Sequence, residues 1–457
     1  MRHWSDEQVA RAAGGELVRP AGSPEGPARA VVDSRALEPG DLFVGVPGER
    51  ADGGAFAVAA LRAGAWGVLV SRPWAREAAA AGRGAVIAVE HPVAALGALA
   101  RTWRRELAVP VIAVTGSVGK TSTKDLIAAL IAPHRTVAAS RANFNTEIGL
   151  PLELLSAPPG TEVLVLELAM RGFGQIAELT AICEPDVGVI TNIGPVHLEQ
   201  VESLEGVARA KGELLVGMRD GATAVVPVGE ERLRPHLRPA LRQVTFGPGG
   251  DVDYDAGGAV VAGGERLSLD VPFTAAHTRR NLLAAVGAAC AVGVRPEGRV
   301  EMRFAALRGE RVLLGTGAVV INDCYNANPL SMRAALDDLA SQETAGRRVA
   351  VLGDMLELGA GEAEHHREIG AYASGAGVEL LVAVGPRAAA MVDSVGGEAR
   401  AVADARAAAA LARDLVAPGD LVLVKGSRGV GLEVVAEALQ DEADTVQAGA
   451  SRDEAEG

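Results

Sequence analysis

Short apolar runs alternate with longer stretches in which apolar residues recur every third or fourth position, and this alternation repeats along most of the chain. Runs at 41–46 and 65–70 predict strands in an upstream unit long enough for a small α/β domain. A run at 109–114 predicts a strand that enters a glycine-rich turn, and the pattern through Ile131 predicts a helix. Further strands are expected at 163–168 and 187–191, with helices such as 204–218 between them. Residues 247–264, rich in Gly and Asp, predict a loop or hairpin, and 277–292 a helix closing this second unit. Strands at 319–322, 348–352, 380–384 and 420–424, with a helix at 331–340, predict a third unit. Alternation of this kind predicts mostly parallel sheets with helices on both faces.

Length agrees, because 457 residues make about three domains at roughly 150 residues each. The expected units are 1–108, 109–309 and 310–457, with an acidic, polar tail from 441 expected to be disordered. Apolar residues at 49% and charged residues at 22% indicate a soluble globular chain and exclude collagen-like and disulfide-scaffold classes. A net charge of −14 disfavours a sequence-independent grip on nucleic acid, which needs a basic footprint. Cys183, Cys290 and Cys324 are odd in number and far apart, so free thiols in a reducing compartment, the cytoplasm, are expected. No apolar run is long enough for a membrane span, and the charged first residues do not read as a secretory signal. Basic residues are nearly all arginine; the lysines are Lys120, Lys124, Lys211 and Lys425.

The first of these lysines carries chemistry. Thr115, Gly116, Ser117, Val118, Gly119, Lys120, Thr121 and Ser122 stand between a predicted strand and a predicted helix. Glycines let backbone N–H groups approach phosphates, and the helix N-terminus adds partial positive charge. The lysine would neutralise the β/γ-phosphates, and the threonine hydroxyl can reach Mg²⁺. The spacing is shorter than the general form, which needs glycine where this chain has Val114. The alternative is an ordinary glycine-rich turn.

This loop resembles the ATP loop of the Mur ligase family, and later motifs follow that family's order over nearly the whole chain. Near the N-terminus these are Asp33-Ser34-Arg35, Gly40-Asp41-Leu42-Phe43-Val44 and Gly48-Glu49-Arg50 with Asp52-Gly53. Centrally they are Asn143-Phe144-Asn145 with Glu147-Ile148-Gly149 and Pro151, Glu167-Leu168-Ala169-Met170, Thr191-Asn192-Ile193-Gly194 with His197-Leu198-Glu199, and Lys211-Gly212-Glu213. Toward the C-terminus they are Asn322-Asp323 with Tyr325-Asn326-Ala327-Asn328-Pro329, Leu352-Gly353-Asp354-Met355-Leu356-Glu357-Leu358-Gly359, and Val424-Lys425-Gly426-Ser427-Arg428. The last three, with Lys124, resemble the branch that adds D-alanyl-D-alanine to a UDP-muramoyl tripeptide; the Asp-Asn-Pro-Arg motif of the sister branch is absent.

The resemblance implies three α/β domains: a UDP-sugar-binding N-terminal domain, a central P-loop-type ATPase domain, and a Rossmann-like C-terminal domain that closes over ATP. It implies an ADP-forming amide ligase acting through an acyl phosphate, with ATP and two Mg²⁺ ions. Thr121 and Glu167 suit a first Mg²⁺, which prefers hard oxygen ligands. A second would lie near His197 and a CO2-derived carbamate on Lys211, a modification arginine cannot undergo because its guanidinium stays protonated. Lys120, Lys211, His197 and Arg311 would be catalytic. Asn281 would contact adenine, Asp323 ribose and Arg311 the γ-phosphate. Ser34, Arg35, Asn143 and Asn145 would bind the tripeptide precursor, and Asn326 and Asn328 the dipeptide.

Blander readings stand beside each: a strand-end salt bridge at Glu167, a loop histidine, a solvated lysine, a helix-capping or surface amide at Asn281, an unremarkable arginine at Arg311 in an arginine-rich chain, a turn-forming Asp323, and a loop-to-helix start at Asn326–Pro329. Lys425–Arg428 reads as an anion-facing loop or a basic surface turn, and His365–His366 as helix surface without a metal role. A sister ligase, a folylpolyglutamate-type ligase or a nucleotide switch would keep the loop and change the rest. Gly54, Thr146 and Ala169 depart from the family pattern, the first two at substrate-side positions. A cytoplasmic monomer is expected.

Overall fold

The computed structural model describes residues 1, 3–49, 51–141, 143–302 and 307–441, so Arg50 and most of the acidic tail lie outside the described residues. Three sheets dominate. The first holds β1 (Glu16–Arg19), β2 (Ala30–Val31), β3 (Leu42–Val44), β4 (Gly67–Ser71) and β5 (Ala85–Val89) in the order β1-β5-β4-β3-β2. It is parallel except for β1. At Gly54 an added Cβ would come within 2.2 Å of the Trp74 ring. The indole therefore fills the space a side chain there would need, and its Nε1 donates to Asp52 at 2.9 Å.

The second sheet holds β6 (Val111–Thr115), β7 (Val137–Ala139), β8 (Val163–Glu167), β9 (Val187–Ile190), β10 (Thr223–Pro227), β11 (Arg242–Phe246), β12 (Val252–Tyr254), β13 (Val260–Ala262) and β14 (Glu265–Arg266). Its order is β14-β13-β12-β11-β10-β9-β6-β8-β7, antiparallel only beyond β12, where the expected hairpin forms. Every residue of β6 and β8 is buried, because helices cover both faces and alternation gives way to a continuous apolar run. Val111 and Ala113 enter one core with Leu150, Ile176 and Leu214; Ile112 and Val114 enter the other with Leu126, Ile127 and Leu282. A pair of short strands, β15 (Leu269–Asp270) and β16 (Gly298–Arg299), follows.

The third sheet holds β17 (Glu310–Leu313), β18 (Val319–Asn322), β19 (Arg348–Gly353), β20 (Leu380–Val384), β21 (Glu398–Val402) and β22 (Leu421–Lys425) in the order β17-β18-β22-β19-β20-β21. Only β17 is antiparallel. Its alternate residues again feed two cores, Val349 and Val351 on one side, Ala350 and Leu352 on the other. Among the described residues, no helix is long and apolar enough to cross a membrane. All three cysteines are free thiols, with Cys183 and Cys324 buried.

His366 corrects a surface expectation: it is fully buried. Its Nδ1 lies 2.6 Å from the Glu362 carbonyl and its Nε2 accepts from the Met355 N–H at 2.9 Å. Both ring nitrogens are thus used inside the protein, and burial pushes the group below the ordinary histidine range.

The helix Pro92–Leu107 joins the first sheet to the second and packs mainly on central helices Gly149–Leu155 and Gln175–Cys183. Arg104, buried on it, reaches four acceptors: the carbonyls of Cys183 (2.9 Å), Val109 (3.3 Å) and Glu184 (3.0 Å), and Asp186 Oδ2 (2.8 Å). Asp186 also accepts from the Val111 N–H at 2.9 Å, so the same cluster fixes the start of β6. Arg104→Met should cost about 3 kcal/mol, seen as earlier unfolding in urea, because three carbonyls and one oxygen of the half-buried Asp186 lose a buried donor, and Arg219 reaches only the other oxygen. Arg104→Lys should recover less than half, since one ammonium cannot span the fork. An unchanged midpoint would mean that the cluster is idle.

Candidate active site

β6 lies between β8 and β9, so the loops that leave the carboxyl ends of these three strands meet, as expected for ligand sites in parallel sheets. After β6 the chain turns at Gly116 and Gly119, both with positive φ. A Cβ at Gly116 would strike Thr191 Oγ1 at 1.9 Å, and one at Gly119 would meet the Asn281 amide at 2.7 Å. Glycine is therefore required twice, by conformation and by close approach.

The loop after β9 braces this turn. Asn192 Oδ1 accepts from the Val118 N–H at 3.0 Å, and the Asn192 amide and Thr191 hydroxyl both donate to the Val118 carbonyl, at 2.9 and 2.6 Å. The Ser117 hydroxyl donates to the Gly194 carbonyl at 3.0 Å and accepts from the Gly194 N–H at 2.8 Å. Ser117 and Val118 are thus tied to the scaffold. The N–H groups of Lys120, Thr121 and Ser122, in the first turn of the helix Lys120–Ile131, have no intrahelical acceptor and form the anion-binding end. The Lys120 ammonium folds back onto the Gly116 carbonyl at 2.9 Å. Burial pushes it below the ordinary lysine range; Glu167 opposes that shift and Arg308 adds to it.

Glu167 ends β8, where Val114 pairs with it across to β6. One carboxylate oxygen accepts from the Thr121 hydroxyl at 2.7 Å and the other from the Asn145 amide at 2.9 Å, while the Glu167 N–H donates to Ser140 at 3.0 Å. Asn145 thus touches the carboxylate. Among the described residues, no group of three His, Cys, Asp or Glu is gathered at one point. A hydroxyl beside an oriented carboxylate fits Mg²⁺, which takes its remaining ligands from phosphates and water.

Lys211, on the helix Leu204–Gly217, is among the largest fully buried side chains. Among the described residues its ammonium has no hydrogen bond or ion pair, and burial pushes it well below the ordinary range, with Lys120 adding. A neutral amine is the form that adds CO2. Its neighbours in the Lys-Gly-Glu motif have separate tasks. A Cβ at Gly212 would strike the His236 ring at 2.5 Å, and Glu213 accepts from the Gly174 and Ala177 N–H groups at 2.7 and 3.1 Å. His197 has a left-handed backbone (φ 53°) and its Nδ1 lies 2.5 Å from Glu357, in the loop after β19. Burial holds it below the ordinary histidine range despite Glu357, and Lys211 and Lys120 push the same way.

The third sheet supplies the facing wall. Among the side chains lining the resulting cavity of about 1430 Å³ are Lys120, Thr121, Asn143, Asn145, Glu167, His197, Asn281, Arg311, Asp323, Asn326 and Asn328. Lys425 keeps its charge within the wall: its Nζ is buried and donates to Asp323 Oδ2 (2.7 Å), the Asn326 carbonyl (2.9 Å) and the Asp323 carbonyl (3.4 Å). It fixes the loop that carries Asp323 and Asn326. Asn328 caps the helix Pro329–Ser341, its side-chain oxygen accepting from the Ser331 N–H at 2.9 Å. Arg311, on edge strand β17, lies 3.6 Å from Asp338.

Ser34 and Arg35 lie on the first sheet's domain, outside this cavity. Arg35 is exposed and its guanidinium grips Asp33 at 2.7 Å, which holds that carboxyl down to about 2. Two residues at or beside the wall were not foreseen from sequence. Arg308 stacks 4.0 Å over the Tyr325 ring, and Glu357 reaches His197. Only the Tyr in the Asn322–Pro329 motif and the Glu in the Leu-Glu-Leu motif offered a signal.

Three family profiles match: "Mur ligase family, catalytic domain" over 31–104, "Mur ligase middle domain" over 114–289, and "Mur ligase, glutamate ligase domain" over 303–428. The chain is 34% identical to the UDP-N-acetylmuramoyl-tripeptide–D-alanyl-D-alanine ligase of Bacillus subtilis, covering 89% of this chain and 92% of that one. It is 32% identical to the ligase of that name from Escherichia coli, covering 90% and 93%. Among solved structures it superposes on MurF from Acinetobacter baumannii with a TM-score of 0.87 at 28% identity, covering 96% and 99%. It also superposes on MurF ligase from Thermotoga maritima in complex with ADP with a TM-score of 0.79 at 29% identity, covering 91% and 98%. By its sequence over nearly its whole length, and by the fold that sequence adopts, the chain belongs to the Mur ligase family.

Proposed function

We propose that the protein joins D-alanyl-D-alanine to UDP-N-acetylmuramoyl-tripeptide, with ATP converted to ADP and phosphate, and so completes the pentapeptide precursor of peptidoglycan. The observation that carries this reading is the cavity, which sets the phosphate loop and Glu167 against the Asn322–Pro329 wall. Relatives named for this reaction align over 89–90% of the chain, which supports the reading.

In the first step a tripeptide carboxylate oxygen attacks the γ-phosphorus, and the bond to the bridging oxygen breaks to release ADP. Charge builds on the phosphoryl oxygens, so positioning and electrostatics supply most of the acceleration. Lys120 and the N–H groups of the first helical turn hold that charge. Thr121 and Glu167 would hold one Mg²⁺, and His197 with carbamylated Lys211 a second; bound there, the ions neutralise phosphate charge. In the second step the dipeptide amine attacks the acyl carbon, the C–O bond to phosphate breaks, and the amine loses a proton.

Residues 1–108 serve the UDP-sugar end, 109–309 the ATP and carboxylate, and 310–457 the dipeptide. Ser34 and Arg35 meet the UDP-sugar, Asn143 and Asn145 the peptide carboxylate, Asn281 adenine, Asp323 ribose, Arg311 the γ-phosphate, and Asn326 and Asn328 the dipeptide. The enzyme acts as a monomer in the cytoplasm.

ADP release measured with UDP-N-acetylmuramoyl-tripeptide should depend on D-alanyl-D-alanine, and release that ignores the dipeptide would sink the acceptor assignment. Lys120→Ala should lower kcat by about 10²–10³, the loss typical of removing one donor to a transition-state anion. Lys211→Ala should be inactive, and short-chain carboxylic acids should restore part of its activity. Full activity of that variant in CO2-depleted buffer would refute the carbamate.

A further inference from the structure

The Gly353–Gly359 segment after β19 has no part in the chemistry above, yet it is held rigidly. The Asp354 carboxylate accepts from the Arg387 and Ala388 N–H groups at 3.0 and 2.7 Å. The Met355 N–H donates to His366 and the Leu356 N–H to the Ser427 hydroxyl, at 2.9 and 3.0 Å. Met355 and Leu358 are buried on either side. The residue this bracing presents is Glu357, with φ at 63°, a conformation a non-glycine residue keeps only when its surroundings impose it.

Glu357 crosses to the central domain. Its Oε2 lies 2.5 Å from His197 Nδ1 and its Oε1 4.0 Å from Arg171. Two residues further on, an added Cβ at Gly359 would lie 3.6 Å from the Glu199 nitrogen, so the loop seats against the His197–Glu199 segment itself. His197 also has a left-handed backbone, so two strained residues, from the loops after β9 and β19, meet at one hydrogen bond. A carboxylate at Nδ1 selects the Nδ1–H tautomer of a neutral imidazole and fixes the ring plane. The Nε2 lone pair is then left for the cavity that His197 lines.

We infer that Glu357 is a positioning residue: it orients the His197 ring from the C-terminal domain, and therefore only while that domain is seated on the central one. Seating of the acceptor-side domain thereby prepares the phosphate-side histidine. The inference rests on the reading that His197 works in the phosphate site.

The test compares Glu357→Ala and Glu357→Gln in the full-length chain. Nitrogen-15 NMR of the imidazoles, without nucleotide or metal and with His197→Gln to assign the signal, reads the tautomer directly. Glu357→Ala should move His197 away from the Nδ1–H form and lower kcat about 10–100-fold, the usual cost of losing such a partner, with KM for ATP changed less than about twofold. Glu357→Gln, whose amide oxygen can accept the same hydrogen bond, should keep the Nδ1–H signal and most of kcat. An unchanged His197 signal in Glu357→Ala, an unchanged kcat, or equal losses in the two variants would overturn the inference. A wild-type enzyme that ignores D-alanyl-D-alanine would instead overturn the proposed reaction and leave the NMR result standing.

Discussion

A phosphate loop works only if its peptide N–H groups stay aimed at the place where the anion will sit. Here that constraint is met from outside the loop, by hydrogen bonds from Thr191, Asn192 and Gly194 to Ser117 and Val118. Strand order makes this possible. With β6 between β8 and β9, one neighbour braces the loop and the other brings Glu167 within 2.7 Å of Thr121. Sites built on rigid parallel strands hold charged groups in place before substrate arrives, so little reorganisation is left for the reaction.

The same economy governs the lysines. Lys120 and Lys211 are both drawn below the ordinary lysine range by burial, yet their surroundings differ. Lys120 has a carbonyl partner and a nearby carboxylate and stands at the cavity wall. Lys211 has no partner among the described residues. A buried amine without a partner is costly unless it is neutral or modified, which suits a carbamate better than a fixed cation. Lys425 shows the opposite solution: three oxygen acceptors consume its charge, and it acts as a brace for the loop bearing Asp323.

Sequence made several strands legible because they are buried on both faces and read as unbroken apolar runs, as in β6 and β8; β5 and β10, buried in the same way, were not foreseen. The phosphate loop was legible because its glycines and its Lys-Thr pair serve local geometry. Contacts between distant segments were not. Nothing in the amphipathic pattern of Pro92–Leu107 says that it packs on the central helices. Nothing in a His-His pair says which ring is buried, and nothing around Glu357 names a partner 160 residues away. An arginine-rich chain likewise hides Arg308, whose place beside Lys120 only the folded wall reveals.

In the proposed reaction the carboxylate is activated by direct phosphoryl transfer. Tripeptide precursor labelled with oxygen-18 in the reacting carboxylate tests it, with mass analysis of the phosphate released during a single turnover. One labelled oxygen is expected in each phosphate formed, carried over when the amine displaces the acyl phosphate. Phosphate free of label, formed at the same rate as the amide, would contradict it.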